Sequence, residues 1–215
     1  MSIEITHPEK PTEADKIDDN DYMLPHKITG VLPNFSSFPG QKILLPILIE
    51  KKTVPAETTE VTFSDLDGDT DKLYYITGDV LLDYPTSDII MSLQPNSDDT
   101  LNNYKGVLLS WGTNQNPTKA NLPSFEKGFR LSQTKSRDTT TFFNAYLYSK
   151  TGQNRRFTSS ACSYTSVEVI VHINANQWLN TDDNITELKI LVTGGHFSGE
   201  IKLYKMFEVP LEELI

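Results

Sequence analysis

At 215 residues and 37% hydrophobic content, the chain is long enough for one large β domain or two small ones, yet only sparingly supplied with core-forming side chains. A net charge of -10 and a pI near 4.8 repel phosphate backbones and anionic surfaces, which removes nucleic acid from the expected partners. No apolar run reaches the length of a membrane span, the start (MSIEITHPEKPTEADKIDDND) is acidic where an export signal opens basic then apolar, and the single cysteine, Cys162, can form no internal disulfide. Cytoplasmic synthesis, no membrane insertion, and stability from packing and partner subunits are therefore expected.

Residues 1–40 carry charges, Pro8, Pro11, Pro25, Pro33, Pro39 and Gly40, and no strand or helix period. They read as an extended N-terminal arm. Its second half is more apolar than a free tail requires, and Met23, Leu24, Val31, Leu32, Phe35 and Phe38 are the residues expected to dock it, either on its own domain or on a neighbouring subunit.

From residue 41 to 215 short runs of β-branched and aromatic residues alternate with Gly, Pro, Asn and Asp clusters, the pattern of an all-β domain. The strands expected are Ile43 to Ile49, Val61 to Phe63, Leu73 to Ile76, Val80 to Leu82, Ile89 to Leu93 and Val107 to Trp111. Phe129 to Leu131, Thr140 to Tyr148, Arg155 to Thr158, Val167 to Ile173, Ile185 to Val192 and Glu200 to Lys205 follow. In the first, Pro46 raises the alternatives of an edge strand or a small subdomain over Lys42 to Pro55. Alternation is clearest late: Val167, Val169, Val171 and Ile173 share one face, Glu168, Ile170 and His172 the other. One face of each strand is then buried and the other meets solvent or a partner. No helical stripe is sustained, so two antiparallel sheets closed as a jelly-roll β-sandwich are the expected architecture.

Several clusters invite a chemical reading. Asp65-Leu66-Asp67-Gly68-Asp69-Thr70-Asp71 places carboxylates at alternate positions, as a calcium loop does, but Thr70 stands where such a loop needs glycine and Ile76 where it needs a bidentate glutamate. An Asp/Gly turn between strands is the better reading. Gly194-Gly195-His196-Phe197-Ser198-Gly199 lacks the Lys and Ser/Thr of a phosphate loop and leads into a strand, which leaves a strand connection with Phe197 tucked under the sandwich. His7, His26, His172 and His196 are scattered singly, without metal-site spacing, and read as surface or edge residues; Cys162 reads as a small buried filler. No cofactor, metal or catalytic residue is expected. Trp178 reads as a loop anchor. Arg155 and Arg156 form a local basic cluster near Tyr146, Tyr148 and Tyr164. Rings beside Arg suit stacking plus hydrogen bonding, so Tyr146, Tyr148, Arg155 and Arg156 are the candidate glycan contacts.

The Leu66 to Tyr74 turn and the ending Ile185 to Met206 (ITELKILVTGGHFSGEIKLYKM), read as two strands joined by a Gly-rich link, resemble bacteriophage virion-surface jelly rolls: head fibres, tail fibres and receptor-binding proteins. The resemblance covers residues of about 60 to 206 through short structural motifs, so no family site residues carry over. It implies a non-enzymatic virion component, commonly a homotrimer, held to other virion proteins by its N-terminal segment and displaying a β domain for assembly or adhesion to host surface glycans. The chain lacks a heptad or β-helix shaft, and that favours a head fibre, decoration protein or adaptor. The alternatives are a glycan hydrolase, for which Glu126, Asp138, Glu168 and Glu187 are the available acids, and a carbohydrate-binding module.

Overall fold

A computed structural model describes residues 42–83, 89–113, 118–122 (backbone only), 127–134, 138–166 and 168–210. All belong to one unit, Gly40–Ile215. Among them run β1 (Lys42–Thr58), β2 (Glu60–Phe63), β3 (Leu73–Asp83), β4 (Ile89–Pro95), β5 (Tyr104–Gly112) and β6 (Thr118–Leu122). The series continues with β7 (Phe129–Thr134), β8 (Thr139–Tyr148), β9 (Arg155–Tyr164), β10 (Val169–Trp178), β11 (Leu188–Thr193) and β12 (His196–Pro210). A single helical turn, α1 (Gly68–Asp71), precedes β3.

Every pairing is antiparallel, and the strands form a large sheet ordered β1-β12-β3-β8-β9-β10-β5-β6 and a small one ordered β2-β11-β4-β7. The first four strands of the large sheet with the whole small sheet are the two halves of a jelly roll: in chain order those eight strands pair first–last–third–sixth and second–seventh–fourth–fifth. Two insertions enlarge it. Strands β5 and β6 enter between β4 and β7, β9 and β10 between β8 and β11, and all four extend the large sheet past β8 as a wing.

The inner face follows from alternation. Tyr74, Ile76, Val80 and Leu82 of β3 and Phe143, Ala145 and Leu147 of β8 meet Met91, Leu93, Leu188 and Ile190 of the small sheet. Each large side chain buried there contributes about 1.5–3 kcal/mol. Leu73–Ile76 and Val80–Leu82 are parts of the one strand β3, because Gly78 does not break it. The Phe143 ring lies over Gly78, whose absent Cβ would sit 2.2 Å from it. Three rings tie the wing to the small sheet: Phe129 stacks on Phe157 at 4.6 Å between centroids and 3° between planes, and Tyr104 meets Phe129 edge-on.

Strand β10 is turned the other way from its apolar pattern. His172 and Asn174 face inward, at 4% and 1% exposure, while Ile173 is exposed on the outer face. His172 is thus a buried residue, not a surface one. The interior at this end is a polar network that satisfies most of its own groups. Thr141 and Ser163 hydroxyls lie 2.9 Å apart, Asn174 donates to Ser159 Oγ at 3.1 Å, and His172 Nε2 meets the Gln133 carbonyl at 2.8 Å. Burial, reinforced by Arg130, holds the His172 pKa below its ordinary value, against the pull of the Gln133 carbonyl. The unfolded chain therefore takes up the imidazole proton at higher pH than the folded one, and stability falls as pH drops through about 6.5. Between about pH 7.5 and 5.5 the urea midpoint of the wild type is expected to fall further than that of His172→Gln; equal falls would show that His172 does not carry the effect.

Candidate functional site

The outer face of the large sheet bears the surface features that the core does not use. Register places Phe142, Cys162, Val171 and Trp111 in one row across β8, β9, β10 and β5, with Ile173 beside Leu109 and Tyr164 beside Val169 in the flanking rows. Phe142, Tyr164, Ile173, Leu109 and Trp111 are 37–54% exposed. A contiguous apolar area of this kind marks a contact surface. Cys162 is half-buried within this patch, and so is not the buried filler its small neighbours suggest.

Further along the same face the composition turns aromatic and polar. Tyr204, Tyr75 and Tyr146 follow one another across β12, β3 and β8, with Tyr75 stacked on Tyr146 at 4.7 Å and tilted against Tyr204 at 5.7 Å. Beyond them lies a shallow depression of about 520 Å³, lined by Lys105, Val107, Arg156, Thr158, Ala175 and Gln177. Thr158 and Ala175 keep its floor low, and Arg156 and Lys105 flank Gln177 in register.

Of the four glycan-contact candidates, Tyr146, Tyr148 and Arg156 are exposed, and Arg156 lines the depression. Arg155 is elsewhere. Its side chain points inward at 1% exposure, because adjacent residues of a strand face opposite ways. There its guanidinium donates to the carbonyls of Ser149, Asn180 and Asp183 and lies 5.0 Å from the Trp178 ring. It is a structural residue. Trp178 closes the same corner: its indole N–H donates to Asp98 at 2.7 Å and fixes the loop after β4. The arm residues Met23, Leu24, Val31, Leu32, Phe35 and Phe38 lie outside the described residues, as do His7, His26 and Glu126.

The aspartate-rich segment is a turn in which the carboxylates of Asp67, Asp69 and Asp71 are committed to the fold. Asp67 caps α1, accepting from the Thr70 hydroxyl at 2.6 Å and from Asn184 at 2.9 Å, and these bonds hold its pKa below the ordinary value. Asp69 accepts from the Thr151 backbone, and Asp71 from Tyr74 and Lys205. Among the described residues no group of acids, His or Cys is placed to hold a metal ion. Glu168 lies in the β9–β10 turn with Thr165, whereas Glu187 precedes β11 in the other sheet and accepts from Ser97. The Gly194–Gly199 link carries the chain from the small sheet to the large one, so β11 and β12 are not a hairpin; Phe197 is buried under the sandwich as expected.

A second apolar surface had no counterpart in the sequence reading. Beyond the last β3 partner, Tyr74 opposite Lys205, strands β1 and β12 continue as a ribbon that is two-stranded among the described residues, Lys42–Pro46 against Met206–Pro210. Residues Ile43 to Ile49 other than Pro46 are 36–51% exposed, and Phe207 54%. Alternation puts Ile43, Leu45, Ile47, Phe207 and Val209 on one face and Leu44, Leu48 and Met206 on the other. The segment Lys42 to Pro55 is accordingly the edge strand of the large sheet and not a subdomain.

No family model, no curated protein and no solved structure matches the chain.

Proposed function

We propose that the chain is a non-enzymatic structural component of a bacteriophage particle, a head-fibre, decoration or tail-associated protein, which works as a homotrimer. The resemblance of residues 66–74 and 185–206 to virion-surface jelly rolls supports the setting. The observation that carries the assembly role is the β1–β12 ribbon, apolar on its Ile43, Leu45, Phe207 and Val209 face, with Leu44 and Met206 beside the Lys42–Glu208 ion pair on the other, whose Ile43, Leu44, Leu45 and Phe207 stay 38–54% exposed among the described residues. An isolated two-stranded ribbon is marginal in water, so a ribbon of this composition reads as half of an interface. Such a protein acts by being assembled and displayed, with the arm of residues 1–40 as its attachment to other virion proteins.

Light scattering on the full chain tests this. The expected mass is three times the 24.3 kDa of one chain, and Leu45→Asp with Phe207→Asp is expected to reduce it to one chain with an unchanged circular dichroism spectrum. A wild-type protein that runs as a monomer at micromolar concentration would sink the proposal.

A further inference from the structure

The ribbon and the wing patch are two different apolar surfaces on one chain, and the large sheet keeps them apart. The ribbon leaves from the β1–β12 edge, the patch spans β8, β9, β10 and β5, and β3 lies between. We infer that they are donor and acceptor of one head-to-tail contact: the ribbon of each copy lies on the outer face of the wing of the next copy, its Ile43–Leu45–Ile47–Phe207 face against Phe142, Tyr164, Ile173 and Trp111. This rests on the assembly reading above and specifies its geometry.

Three observations favour this pairing. Each surface offers on the order of 500 Å² of apolar area, so one ribbon-on-wing contact removes up to about 1,000 Å² from water, about the least that a specific contact needs, and closure of a ring makes each copy hold two such contacts at once. The surfaces also match in character. The ribbon face carries Ile43, Leu45, Phe207 and Val209, continued on the β1 edge by Ile47 opposite Lys205, and the patch row Phe142–Cys162–Val171–Trp111 contains no charge. Lastly, a two-fold contact of ribbon with ribbon covers one surface and leaves every wing bare. A single head-to-tail contact covers both and closes into a ring when its rotation allows.

Cys162 makes the inference testable, because it is the one cysteine of the chain and sits inside the proposed acceptor. In Leu45→Cys the new thiol faces the neighbour's Cys162. Mild oxidation is expected to give covalent species beyond the dimer on non-reducing gels, with the closed trimer dominant, and Leu45→Cys/Cys162→Ala is expected to give none. Symmetric covalent dimers that survive Cys162→Ala would mean that ribbon meets ribbon and would overturn the inference. So would the absence of any cross-link in a protein that light scattering finds trimeric, which removes this geometry and leaves the assembly reading standing. A monomer by light scattering removes both.

Discussion

Arg155→Ala is expected to cost about 3–4 kcal/mol of folding stability, roughly 10 °C in Tm for a chain of this size. The guanidinium is the shared donor for three backbone carbonyls from two loops, Ser149 after β8 and Asn180 and Asp183 after β10. Truncation strips a donor from all three at once and removes the cation packed on the buried Trp178 ring. The charge itself is not fully compensated by contact, since burial works against it and Asp69, Asp183 and Asp182 supply the opposing attraction. Arg155→Lys is therefore expected to recover only part of the loss: an ammonium keeps the attraction but cannot reproduce a planar fork reaching three acceptors. Arg156→Ala serves as the internal comparison. Its side chain is exposed, and a change within about 0.5 kcal/mol is expected. Urea unfolding of the three variants reads the difference directly, and equal effects of Arg155→Ala and Arg156→Ala would refute the assignment.

That contrast also measures what the sequence could convey. Two adjacent arginines are indistinguishable as letters, and only the register of β9 against β10 sends one into the core and the other to the surface. The alternation of β10 was legible as a period but not as a direction. Apolar Val171 and Ile173 belong to the outer face because inward His172 and Asn174 find hydrogen-bond partners across to β7 and β9, which no single strand reveals. The sandwich itself was legible because its strands are marked by β-branched runs and by Asp/Gly and Asn-rich turns. Strand β6, Thr-Lys-Ala-Asn-Leu, escaped because it is polar and, among the described strands, pairs only with β5 at the sheet edge. The ribbon was legible as a strand, but an apolar run reads alike whether it is buried in a core or left bare for a partner.

Gly199→Ala is expected to destabilise the fold by about 3 kcal/mol or more, from two sources that each contribute on the order of 1–3 kcal/mol. The first is conformation: φ at Gly199 is 132°, a region open to glycine and poorly tolerated by other residues. The second is space. A Cβ there would lie 2.3 Å from the Asp79 carbonyl oxygen and 2.9 Å from Val80 Cα, backbone atoms of β3 that cannot swing aside. The residue lies opposite Val54, where β1 carries two extra residues before Thr58 pairs with Phe197, while β12 keeps an unbroken register on β3 from His196 to Lys205 with Phe197 and Ile201 buried on either side of it. Gly152 separates the two sources. It also has a positive φ, 73°, but nothing lies within 4 Å of its missing Cβ, so Gly152→Ala is expected to cost only about 1 kcal/mol, the conformational part alone. Paired urea titrations of the two variants test this. A Gly199→Ala midpoint no lower than that of Gly152→Ala would mean that the close approach of the two backbones at Gly199 and Asp79–Val80 does not constrain how β12 lies on β3.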